Sequence, residues 1–309
     1  MSLAPFRQMN YKEKQISKES FMEFKQYIDN AWDIHATDAK SVFNSLAEGE
    51  KLIVSNENIP VLARLITHVC GDHLGLWEEG VEKLQNLKLN PHYASNTDSE
   101  FAINRLIATL QFCSGGLKDL SRFSLSDQIR ILAQAAGMIS ERGELALAKD
   151  YFSRSLEMAG RGLEKEDPAN RALAITGNNL ACTLEEKTGR SELETELMIL
   201  AAKAGRKFWE IAGGPSEVAS AEYRLSQSYL QALQIEKSFE HAQLSVESCE
   251  VNKASALDHF YGYEAIALAE KARKNDNGYL KAVEKMKLHF EQLSEDDKKW
   301  CSKTANKFF

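Results

Sequence analysis

One pattern of residue sizes recurs along this chain. In Gly143-Glu-Leu-Ala-Leu-Ala148-Lys-Asp-Tyr-Phe152-Ser-Arg-Ser155 a glycine is followed by a small residue five positions on, a large one four later and a small one three later. Gly75, Gly80, Leu84 and Leu87 take the same steps. Ser238, Ala242 and Ser245 take the last two again, 90 residues after Ala148, Phe152 and Ser155, and Glu194, Met198 and Ala201 fit loosely between. Half of that interval, about 45 residues, is the size of a helix–turn–helix unit. A unit of that size cannot bury its apolar stripe alone and has to stack on its neighbours.

The local pattern is helical throughout. Leu145, Ala148, Phe152, Ser155 and Ala159 form one stripe, and Leu173, Gly177, Leu180, Ala181 and Leu184 another, both in steps of three and four. No segment alternates long enough to make a strand. Only 17 Gly and 5 Pro stand in 309 residues, too few turn formers for a sandwich or barrel. Pro60, Pro91, Pro168 and Pro215 sit where the helical pattern breaks or begins. Asp167-Pro168 reads as an N-cap and first helical residue, and Gly213-Gly214-Pro215 as a stop and restart. Thr97…Glu100 and Ser191…Glu194 have capping-box spacing.

Charge narrows the partners. The formal net charge is −7, and residues 31–270 carry 23 basic and 35 acidic groups. An acidic body repels phosphate backbones, so no nucleic-acid partner is expected. The most apolar stretch, Ile59 to Cys70, is interrupted by Pro60, Arg64 and His68, and residues 1–10 lack a signal-peptide apolar region, so no membrane role is expected. Five scattered cysteines, none in a Cys-x-x-Cys pair, suit reduced thiols in a cytoplasmic protein.

On these residues the chain resembles the tetratricopeptide repeat family. The matching features are the small residue late in each first helix (Ala136, Ala181, Ser226), the turn glycine Gly143, and the small–large–small stripe of the second helix. Residues 139–190 look most like the long-helix variety of kinesin light chains. There a polar loop, here Gly160 to Pro168, leads into a helix carrying Asn-Asn-Leu-Ala, here Asn178-Asn179-Leu180-Ala181. The resemblance implies an all-α fold, a right-handed superhelical solenoid of antiparallel helix hairpins. It spans residues 126–293, after an N-terminal helical cap at 1–35 and degenerate helical repeats at 36–125. A capping helix at 294–309 would close it, with Trp300 and Phe308 packing inward. The segment Gly115 to Ser124 is short for a full second helix.

In such an array the first helix of each hairpin lines a concave face suited to an extended peptide or partner helix. By resemblance, groove positions fall three residues before and one after the late small residue: Ala133 and Gly137, Asn178 and Cys182, Tyr223 and Gln227. Arg130, Gln134, Asn179 and Tyr263 lie close by and complete the candidate peptide-binding set. Asn and Gln can bond a peptide backbone as donor and acceptor together. Chaperone-tail-binding members of the family clamp a carboxylate with Lys and Asn at these positions, and this chain has no Lys there. The expectation is a non-catalytic scaffold for a protein or peptide. A peptide-sensing intracellular regulator is the alternative, although the N-terminal third shows no DNA-reading helix-turn-helix. An enzyme with an unrecognised site is the third reading.

The motifs of catalysis and cofactor binding are missing: no His-Glu-x-x-His, no phosphate-binding glycine loop, no Gly-x-Ser-x-Gly. No cofactor and no metal are expected. His68-Val-Cys70-Gly-Asp72-His73 holds potential ligands, but on an α-helix positions 68 and 70 point to nearly opposite sides, and the segment reads as a helix end with His73 exposed. Glycines beside Cys113 read as a helix C-terminus rather than as space around a nucleophile. The aromatic set Trp209, Tyr223, Tyr229, Phe239, Phe260, Tyr261 and Tyr263 reads as inter-helix core.

Overall fold

A computed structural model describes residues 22–309. Residues 1–21, most of the expected N-terminal cap, lie outside the described residues. Among the described residues the fold is all-helical, 76% helix with no strands, and its 14 helices pack in successive neighbouring pairs. The chain divides into two compact units between Tyr151 and Phe152.

The first unit holds α1 (22–34), α2 (Ala39–Lys51), α3 (Asn58–Thr67), α4 (Trp77–Leu87), α5 (Asp98–Cys113), α6 (Leu125–Glu141) and the first half of α7 (Leu145–Ala159). Its core is built from Leu46, Ile59, Leu62, Ile66, Leu84, Ile103 and Leu110. The expected capping pair Thr97…Glu100 does not close: Thr97 accepts no cap bond, and Glu100 instead takes the backbone N–H of Asn96. Residues 114–124 hold no helix, as their length foretold.

Between α3 and α4 the winding changes. His68–Leu74 is a π-helix that ends on Gly75, whose φ of 67° is left-handed. Bonding five residues apart stacks residues i and i+5 nearly above one another, whereas α pitch, at 100° per residue, would set them about 140° apart. His68 and His73 therefore share a side. Gly71 makes room for this turn: a Cβ there would lie 2.5 Å from Met138 Cε on α6. Arg142 Nη2, just past α6, donates to the Asp72 carbonyl at 2.5 Å. The expectation of an exposed His73 is corrected here. It is half-buried, and burial together with the neighbouring His68 and His35 lowers its pKa.

The second unit continues from α7 through α8 (Pro168–Glu185), α9 (Glu192–Ala212), α10 (Pro215–Gln231), α11 (Ile235–Asn252), α12 (Ala256–Ala272), α13 (Asp276–Glu291) and α14 (Glu295–Ala305). Here the caps close as their residues require. Asp167 accepts from Ala169 N at 2.8 Å with Pro168 at the first helical position, and Ser191 and Glu194 form a full capping box. Gly214 N donates to Glu217 at 2.9 Å, beginning α10 immediately after α9 stops.

α8/α9, α10/α11 and α12/α13 pack as hairpins, and α8, α10 and α12 also touch in sequence. Small residues set the crossings. A Cβ on Gly177 of α8 would meet Ala201 O at 2.6 Å and Gly205 N at 2.7 Å, so the α8 and α9 backbones are in contact. Ser226 of α10 and Ser238 of α11 meet Oγ to Oγ at 3.2 Å, both buried. The repeat stripes Ala148–Phe152–Ser155, Met198–Ala201 and Ser238–Ala242–Ser245 are all buried, as are Ala136, Ala181 and Ser226.

The C-terminal helix corrects one expectation. Trp300 points to solvent, 77% exposed. Cys301, Ala305 and Phe308, in steps of four and three, form the inward stripe against Phe260 and Met286. Trp300 is one residue, and so about 100°, out of phase with that stripe.

Candidate functional site

The side-by-side helices α8, α10 and α12 carry five of the seven candidate residues named from the sequence, Asn178, Asn179, Tyr223, Gln227 and Tyr263. Asn178, half-buried, donates from Nδ2 to Oδ1 of exposed Asn179 at 3.2 Å. Both stand on α8 beside the Gly177 crossing, where the backbone contact with α9 fixes their height. Tyr223 on α10 is half-buried; its hydroxyl donates to Glu264 of α12 at 2.9 Å, and its ring meets Tyr261 edge-on at 5.7 Å. Gln227, one turn later, is only 9% exposed and its Nε2 has no partner. It is an inward-turned amide rather than a surface contact.

Tyr263 is drawn elsewhere. Its hydroxyl donates to Glu250 of α11 at 3.2 Å and its ring stacks on His289 of α13 at 5.6 Å. Arg130 and Gln134 lie on α6 in the first unit, both half-buried. Arg130 shares the Asp127 carboxylate with Arg105, at 3.3 Å and 3.1 Å. Within the second unit, then, the set narrows to Asn178 and Asn179 as accessible amides, with Tyr223 as a cross-link.

A seam of buried charge joins these helices. Glu185 of α8 accepts from Ser228 of α10 at 2.5 Å and pairs with Arg224 of the same helix. On the other side of α10, Glu222 pairs with Arg206 of α9 and meets His241 of α11 at 2.7 Å. Burial raises the pKa of Glu185 against the pull of Arg224, and raises that of Glu264 against the Tyr223 bond. For Glu222 burial also works upward, but His241 and Arg206 outweigh it and hold the carboxyl below its ordinary value. The tyrosine hydroxyl of Tyr223 is pushed well up by burial and by Glu264.

Sequence reading named Tyr223 but missed this seam. The signal lay in the spacing: Glu185–Arg224, Tyr223–Glu264 and Glu185–Ser228 are 39, 41 and 43 residues apart, each close to one repeat. A shallow hollow of about 400 Å³ beside Arg206 and His241 adds no free reactive group from these two, since Glu210 and Glu222 hold Arg206 and Glu222 holds His241.

The cysteines are free thiols, and burial raises them: Cys113 to about 12, Cys249 to about 11, and Cys182 above its ordinary value. Thiols held protonated near neutrality are poor nucleophiles. Among the described residues no helix is long and apolar enough to cross a membrane. The described residues that converge with metal-ligand chemistry are three histidines of the first unit, His35, His68 and His73.

No known family model matches this sequence, and no curated protein is similar enough to count as a relative.

Proposed function

We propose that the chain is a non-catalytic scaffold that binds a protein or peptide on an exposed face of a tetratricopeptide-like array, a right-handed superhelical solenoid in a reducing, cytoplasmic setting. The observation that carries this reading is the mutual packing of α8, α10 and α12 alongside the hairpins they begin. First helices that touch one another form a continuous wall, as stacked two-helix repeats do. The buried seam of Glu185, Arg224, Tyr223 and Glu264 locks that wall, so a guest meets a rigid surface and little ordering is required of the scaffold on binding. The accessible amides are Asn178 and Asn179, which can pair with the N–H and C=O of an extended chain.

The test is selection of displayed peptides on the full chain, followed by affinity measurement for the parent and for Asn178→Ala/Asn179→Ala. The double variant should weaken the selected peptides by about tenfold or more with an unchanged melting temperature. Leu280→Ala, exposed on α13, should leave affinity unchanged. Equal affinity in parent and double variant, or no peptide selected at all, would overturn the reading. Tyr223→Ala is a poor probe, because it also strips Glu264 of its bond.

A further inference from the structure

We propose that His35, His68 and His73 form a binding site for one divalent transition-metal ion of the zinc class. One ring nitrogen from each lies within 4.8 Å of those of the other two. The Nε2 atoms of His68 and His73 are already 3.1 Å apart. Two nitrogens bound to tetrahedral zinc at 2.0–2.1 Å are about 3.3 Å apart. That pair stands at ligand spacing, and closing the widest gap asks for ring movements of about 1.5 Å.

On His68 and His35 the other ring nitrogen is occupied in the way metal ligands require. His68 Nδ1 meets the Asp72 carboxylate at 2.7 Å, a carboxylate–histidine pairing that leaves Nε2 with its lone pair outward. His35 Nδ1 bonds the Trp32 carbonyl, which likewise frees its Nε2. The Trp32 ring lies 5.1 Å from the His68 ring and 5.0 Å from the His35 ring, forming an apolar wall on that side. Cys70 is fully buried and does not join the cluster. Arg142, the nearby cation, is engaged by the Asp72 carbonyl.

The fold builds this cluster deliberately. The π winding brings His68 and His73 to one side, Gly71 lets that turn press on α6, and α1 delivers His35 from 33 residues away. All three rings are half-buried. Three imidazoles with a solvent-reachable fourth position make an open site, which keeps one exchangeable water. Imidazole ligands favour zinc, copper, nickel or iron over magnesium or calcium.

The test uses the purified full chain with zinc or cobalt salts alone. Titration should give one tight site, and cobalt should produce the intense visible bands of tetrahedral coordination. His35→Ala and His68→Ala should each weaken zinc by about 100-fold or more and abolish the bands. Asp72→Asn should weaken it by 10–100-fold, the range for loss of an outer carboxylate. His289→Ala, in the separate stacked pair with His259, should change nothing. Melting temperature measured without metal confirms folding, and His35→Ala is the safest in this respect because His35 lies in the turn just past α1 rather than within a helix. Absence of the cobalt bands, or equal zinc affinity in parent, His35→Ala and His68→Ala, would overturn the proposal.

Discussion

The two units solve helix packing differently. In the second, hairpins follow one another with small residues at the α8/α9 and α10/α11 crossings and buried carboxylates bridging from helix to helix. In the first, side chains interdigitate around a large aliphatic core, and the winding itself departs from α pitch between α3 and α4. Regular stacking tolerates little change in backbone distance. An aliphatic core with an irregular turn has more ways to adjust, and it can afford to spend polar side chains on something other than holding helices together.

The comparison breaks most readily at Gly177. Gly177→Leu forces a side chain against backbone atoms of α9 that cannot rotate away, so chemical denaturation should show a loss of about 3 kcal/mol or more. A variant as stable as the parent would mean that the close crossing is not what orders the second unit. Arg206→Met comes next. It leaves Glu222 buried with only His241, and about 2 kcal/mol should be lost at pH 7. The Glu222 carboxyl is held low in the fold, so its contribution is present above the unfolded value of about 4.3 and fades as pH falls through the folded value. The penalty of Arg206→Met should shrink over that same acid range, read from denaturation midpoints at several pH values.

Glu264 titrates in the opposite sense. Its folded pKa is raised, so the ionised form costs stability as pH rises through that value. Glu264→Gln keeps an acceptor for Tyr223 without the buried charge, and should gain about 1 kcal/mol at pH 8. The gain should fall towards zero at about pH 3, below the unfolded value of about 4.3, where the parent carboxyl is protonated in both states. A gain that grew on acidification would refute the burial argument. The smallest effect sharpens the contrast from the other unit. A Cβ on Gly137 of α6 meets nothing within 4 Å, so Gly137→Ala should stabilise by about 0.5–1 kcal/mol through helix propensity.

Much of the second unit was legible because size patterns report directly on inter-helix distance. Ala148, Phe152 and Ser155, where α7 enters this unit, and their counterparts Ser238, Ala242 and Ser245 are all buried, as matched stripes require, and Asp167-Pro168 and Ser191…Glu194 mark helix starts by local bonding that needs no tertiary context. Trp300 was misplaced because one residue of phase separates the inward stripe from the outward face, and a short terminal helix offers few positions to settle that phase. The seam was missed because Tyr223 and Arg224 find their carboxylates a full repeat away. The histidines were missed for a different reason. Judging positions 68 to 73 at α pitch assigns the wrong faces, and nothing in an apolar periodicity announces a change of pitch. Of the seven candidate binding residues, Asn178 and Asn179 stand accessible together on one helix, while Tyr263 is turned towards α11 and α13.

The π turn also fixes a length. Such a turn is what a helix becomes when it carries one residue more than its bonding ladder can use. Deleting one of residues 69–72 would hand that surplus back and return the segment to the α ladder. The two histidines that bracket the turn would then stand four positions and about 40° apart, still on one side, whereas α winding with the present spacing would set them about 140° apart. At this point of the chain, winding and spacing have to change together.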